Sequence, residues 1–241
     1  MLRLSLAAAA LLILRFPAIA NLAHAQTATP APDDAAPEVT AEATDDLLVI
    51  TVEPLLGQRI PPPLTIELPR GWRVGHDTLL LDDIDALRNI PFSVYTGPVT
   101  GGTGTIVLLW AFPNVVAGNP LIGDAVTPDL YLDGTRLLRL AILEESCNIG
   151  TDLRREYSIG GLVAIGTQFA AVDCAELPNT RGWFAGLQQF NLNFVFYVFT
   201  DPIDAIDTAE DELQVILDSV RFVLPPTPDP NPEVTAEATA E

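Results

Sequence analysis

Two apolar runs constrain this chain more than any other feature of it. Thr105–Phe112 (TIVLLWAF) and Asn193–Phe199 (NFVFYVF) are built from β-branched and aromatic residues with almost no polar interruption. Such residues favour a pleated surface, and a strand that is apolar at successive positions has two faces to hide. Both runs are therefore expected as central strands of a sheet covered on both sides. Neither approaches the ~20 residues that a membrane-spanning helix needs.

Further strand signals surround them. In Leu64–Pro69 (LTIELP), Leu64, Ile66 and Leu68 alternate with Thr65 and Glu67, the period of a half-buried strand. Pro61-Pro62-Pro63 is a stiff extended lead-in to it. Residues 161–172 and 183–190 are apolar or aromatic runs bounded by turn residues. Gly101-Gly102-Thr103-Gly104 and Asn179–Gly182 carry turn chemistry between strands. Two helices are expected. Thr127-Pro128 offers a cap and a first-turn proline ahead of an apolar stripe of Leu130, Leu137, Leu138, Ala141 and Ile142. Gly134 weakens that helix by about 1 kcal/mol. Thr208 and Asp211 have capping-box spacing, and Leu213, Ile216, Leu217 and Val220 recur on one helical face. The pattern predicts an α+β fold, an antiparallel β-sheet covered by helices. The alternative is a β-sandwich with peripheral helices.

The ends of the chain read differently. Arg3 precedes an apolar stretch from Leu4 to Leu14, and Ala23-His24-Ala25 is a small-x-small cleavage site. Residues 1–25 are thus expected to be a signal peptide cleaved after Ala25, which places the mature chain outside the cytoplasm with no transmembrane segment. The octapeptide PEVTAEAT occurs twice, at Pro37–Thr44 and Pro232–Thr239. Both copies lie in Pro/Thr/Ala/Glu-rich stretches with too little to bury to offset their ordering entropy. Residues 26–45 and 225–241 are therefore expected to be disordered acidic segments. They bracket a single domain over 46–224, long enough for a sizeable core.

Charge and missing residue types remove several kinds of function. Residues 46–224 carry 23 Asp or Glu against 10 Arg, a net of −13, and the chain contains no lysine. So acidic a domain repels phosphate backbones and anionic membrane surfaces, which argues against nucleic acid as a partner. Without lysine there is no Schiff-base chemistry and no phosphate-binding Lys of a P-loop. The glycines at 101–104 precede a strand, where a phosphate loop would come after one, and read as a hairpin turn. No metal or cofactor site is predicted. After the leader, one imidazole and two thiols cannot build the usual zinc shells. Asp82-Asp83-x-Asp85 and the stretch D-L-Y-L-D-G at 129–134 read better as solvated acidic faces than as calcium loops, since Tyr131 replaces a ligand.

Cys147 and Cys174 carry the clearest chemical signal. Two cysteines in an exported chain usually pair, and closing this loop would stabilise by roughly 3.5 kcal/mol on the chain-entropy model. The alternative is two buried thiols. His76, in GWRVGHDT, is the only histidine after the leader, so a hydrolytic triad would need it with Ser93, Ser146, Ser158 or Ser219. None of these serines sits in a G-x-S-x-G elbow, and adjacency does not orient Asp77 on the ring. His76 is expected to be an exposed turn residue, and no catalytic residue is assigned. Trp72, Trp110 and Trp183 are read as core, Trp110 above all.

Three segments share a further likeness. Leu68-Pro69-Arg70-Gly71-Trp72 forms a "P-x-G-W" turn, Tyr157-Ser158-Ile159-Gly160-Gly161 enters a long strand, and Ile216-Leu217-Asp218-Ser219-Val220-Arg221-Phe222 ends the last helix. Together they resemble the PsbP-like family, over roughly Leu47–Leu224. That family includes extrinsic photosystem II proteins, a Ran-binding nuclear import factor and many exported bacterial proteins. The resemblance implies an α/β/α sandwich of the exported bacterial branch and a role in binding or assembly; no family functional residue maps onto this chain. The expectation is a non-catalytic extracytoplasmic module for a protein or small ligand. The competing readings are a secreted hydrolase using acidic residues and a passive surface protein.

Overall fold

The computed structural model describes residues 39–44, 47–52, 57–82, 87–112, 129–143 and 146–224. The leader with its cleavage site and the tail 225–241 lie outside the described residues, as do Thr127, Pro128, Asp83 and Asp85. Twelve strands are present among the described residues: β1 (Val39–Thr44), β2 (Leu47–Val52), β3 (Leu64–Thr65), β4 (Arg73–Asp82), β5 (Leu87–Val99), β6 (Gly102–Trp110), β7 (Asn148–Thr151), β8 (Arg155–Ile159), β9 (Leu162–Val172), β10 (Thr180–Gln189), β11 (Leu192–Asp201) and β12 (Arg221–Phe222). Helix α1 covers Leu130–Leu137 and continues as a π-helical turn, Leu138–Ile142; a 3-10 turn at Ile203–Ala205 leads into α2, Ile206–Asp218.

The main sheet runs β4-β5-β6-β11-β10-β9-β7, with β8 also paired to β9. Every pairing in it is antiparallel. The two apolar runs become β6 and β11, neighbours in the middle, in register Phe194↔Trp110, Phe196↔Leu108 and Val198↔Ile106. Alternation then splits their side chains. Ile106, Leu108, Trp110, Phe194 and Phe196 join one core cluster with Leu213, Ile216 and Leu217 of α2. Val107, Leu109, Val195 and Tyr197 join the other with Leu130 and Leu137 of α1 and Leu138 of the π-turn. One helix thus closes each face, which is why both strands could be apolar throughout. The fold is α+β, an antiparallel sheet covered by helices.

Several local details depart from the sequence expectation. Val39–Thr44, expected within the disordered 26–45 segment, pairs with Leu47–Val52 in a separate two-stranded sheet; the apolar partner strand gives its backbone groups a ladder that composition alone does not reveal. The LTIELP strand is only Leu64–Thr65, paired to β12, because the Glu67 amide leaves the ladder and donates to Ser219 Oγ at 2.9 Å. Helix α1 is capped by Asp129, whose carboxylate accepts from the Tyr131 and Leu132 amides, so D-L-Y-L-D-G is a helix start, and Asp133 within it is fully buried where a solvated acidic face was expected. Thr208 does not cap α2: the 3-10 turn starts the helix earlier, and Thr208 Oγ1 donates to Ala205 O at 3.0 Å.

Candidate functional site

Cys147 and Cys174 are joined in a disulfide, with Cα atoms 4.1 Å apart. They lie just beyond the Asn148↔Val172 end of the β7–β9 pairing, where the bond fastens a four-residue edge strand to the sheet. No free thiol is present among the described residues. Nor do the described residues contain a group of three His, Cys, Asp or Glu that could hold a metal ion, or a helix long and apolar enough to cross a membrane.

His76 is not in a turn. It sits within the edge strand β4, directly opposite Ser93 of β5, and its Nδ1 lies 2.8 Å from Ser93 Oγ. The ring is half-buried and burial lowers its pKa below 6.5. Ser93 also bonds the Tyr95 phenol, which burial pushes up to about 12. The neutral ring is therefore the favoured form, with Nδ1 able to accept from the serine. Sequence reasoning missed this because the glycines at 71 and 75 mask a strand of ten residues with two exposed apolar positions. The arrangement joins a hydroxyl to a base, but it lacks the rest of a hydrolytic site. Ser93 has no exposed surface, and the Asp77 carboxylate is bonded to the Thr78 amide at 2.8 Å. A substrate does not reach the buried oxygen in this arrangement, and among the described residues the ring's hydrogen bond is to Ser93 and not to a carboxylate. Two of the other serines are employed structurally, Ser146 Oγ accepting from the Ala175 amide and Ser219 Oγ donating to Ile216 O, while Ser158 is exposed on β8.

A concave feature among the described residues lies elsewhere, where the P-x-G-W turn, the entry to β9 and the end of α2 converge. Ser219 Oγ holds the Glu67 amide at 2.9 Å, Gly160 N donates to Leu217 O at 2.9 Å, and Gln214 Nε2 reaches Ser158 O at 2.8 Å. The P-x-G-W turn closes through Trp72 N to Pro69 O at 3.2 Å, with Gly71 at φ +92°, a conformation glycine takes without penalty. The turn delivers Trp72 onto the cross-strand pair Gly97↔Gly104. A Cβ at Gly97 would stand 2.3 Å from the indole Cγ, and one at Gly104 would stand 3.3 Å from its Cη2. Two residues without side chains thus make the bed in which the indole lies, and its Nε1 donates to Pro98 O at 3.2 Å.

Beside this indole is a groove of about 480 Å³, lined by Glu67, Leu68, Pro69, Trp72, Pro98, Val99 and, from α2, Glu212, Val215, Ile216 and Ser219. Its walls are mainly apolar. Its far lip is fixed: both Glu212 oxygens accept from Thr100 of the β5–β6 turn, and Thr208 Oγ1 donates to Thr100 O at 3.3 Å. Val215 is 68% exposed at the opening. Of the three tryptophans, Trp110 and Trp183 are core as expected, each 2% exposed, while Trp72 is half-buried at the groove.

No family model matches the chain, and no curated protein matches it. Among solved structures it is similar to PA94 from Pseudomonas aeruginosa, a protein of unknown function, at 14% identity and a TM-score of 0.37, covering 63% of this chain and 99% of that one.

Proposed function

We propose that the chain is a non-catalytic binding module of the extracytoplasmic space that engages a partner protein through the Trp72–Val215 groove. The observation that carries the reading is a preformed apolar groove whose walls are pinned by hydrogen bonds and which opens to solvent. A mainly apolar cleft of this volume is of the size that binding sites take. The disulfide is compatible with an oxidising compartment, in line with a leader cleaved after Ala25. The PsbP-like reading belongs to the same proposal, supported by a sheet between two helices and by the meeting of the three motif segments at the end of α2.

The test is photo-crosslinking. A benzoylphenylalanine placed at Val215 in the secreted protein should give a discrete adduct in the native extracellular fraction. One placed at Val163, 65% exposed on β9, should not. Equal adducts from both positions, or none from Val215, would overturn the assignment of the groove.

A further inference from the structure

The proposed groove combines apolar walls with a one-sided charge. The residues that line it include Glu67 and Glu212 and no Arg, and the adjoining positions add Asp211 and Asp218 alongside Arg70, Arg73 and Arg221. All four acids are exposed. Glu67 and Glu212 belong to different walls, and both line the groove itself. The Glu212 carboxylate is held at the lip by the Thr100 amide and hydroxyl, so its charge stays at one place. Val215 stands on the helix between them, an exposed apolar side chain flanked by Asp211 four residues before it and Asp218 three after.

Two occupants of the chain's own sequence fit badly. The last described residues run antiparallel to Pro63 and Leu64, with Val223 N donating to Pro63 O at 2.9 Å. The chain therefore leaves in the direction of Ile60, away from Glu67. Residues 225–241 carry four acids and no base, and the groove's carboxylates would repel them. A second copy presents the same acidic surface.

Resting on the binding-module reading, we infer that the groove takes a cationic, apolar peptide segment of a partner protein: aliphatic or aromatic side chains against Leu68, Trp72, Val99 and Val215, with Arg or Lys beside Glu67 and Glu212. Complementary charge of this kind fixes register and excludes wrong partners, while the apolar contacts supply most of the affinity. The Trp72 Nε1 donor is already committed to Pro98 O. It is not free for a ligand carbonyl, so side chains and charge do the recognising.

The protein carries its own reporter. Trp110 and Trp183 are each 2% exposed, so a ligand at the groove shifts the emission of Trp72 alone. The secreted protein is titrated with three ten-residue synthetic peptides: alternating Leu-Arg, alternating Leu-Glu and alternating Gly-Arg. The inference predicts a saturable emission shift with Leu-Arg only. Glu67→Gln should weaken that binding about two- to fivefold, the size of an exposed ion pair, and Val215→Ser should weaken it further. Raising salt should weaken it as well. Equal binding of the Leu-Glu peptide, equal binding of Gly-Arg, or no shift with Leu-Arg would each overturn the inference. If the Val215 crosslink still forms in that case, the groove stands and only its charge preference is wrong.

Discussion

Gly134 of α1 rests against the ring of Phe184 on β10, so closely that a Cβ at 134 would stand 2.5 Å from the ring's Cε2. The same turn of helix receives the Tyr197 hydroxyl, which donates to Gly134 O at 2.8 Å. The glycine that looks like a defect in a helical stripe is what allows the helix to lie against the sheet.

Gly134→Ala should therefore destabilise the protein, although alanine is the better helix former by about 1 kcal/mol. Overpacking against a buried aromatic costs about 1–3 kcal/mol. Denaturant unfolding of the two proteins decides between the effects, and a more stable Gly134→Ala protein would show that the helix stands off from Phe184.

Replacing both Cys147 and Cys174 with Ser should cost roughly 3.5 kcal/mol on the chain-entropy model. Alkylation without reductant should label neither cysteine in the native or the denatured protein. Labelling after denaturation alone would mean buried thiols in place of a bond.

Stability should fall with acidification through His76. Its folded pKa lies below 6.5 because of burial, so the unfolded chain takes the proton first. The contribution is fully present above about pH 6.5 and is lost as pH falls from there toward the folded value. His76→Ala should lose about 1 kcal/mol with the Ser93 hydrogen bond, and its stability should decline less than the wild type's between about pH 7 and pH 5. Parallel declines in the two proteins would remove His76 from the account.

Gly97→Ala should expel Trp72 from its bed, since the new methyl would meet the indole at 2.3 Å. The sheet should persist by far-UV dichroism while tryptophan emission moves to the red. Unchanged emission would contradict the seating of the indole.

Periodicity reached as far as the elements whose partners it implies. The runs that became β6 and β11 could only be central, and Leu213, Ile216, Leu217 and Val220 all proved buried at α2 and its end. Expectation failed where distant residues decide the outcome. His76 reads as a turn residue until β5 places Ser93 opposite it. Thr208 reads as a cap until the turn at Ile203–Ala205 moves the helix start. The groove was out of reach for the same reason: Trp72 looked like core, and only the Gly97↔Gly104 pairing sets it at an opening. The convergence of Glu67, Gly160 and Ser219 depends on contacts across 152 residues, such as Glu67 to Ser219.

Whether the module meets its partner at the groove is decided by backbone hydrogen exchange with and without the crosslink-identified partner. Exchange should slow in Glu67–Trp72, at Val99 and in Glu212–Ser219, with Arg73–Asp82 of the β4 edge unchanged. Protection concentrated on Arg73–Asp82, with none across Glu212–Ser219, would contradict this and make the sheet edge the interface.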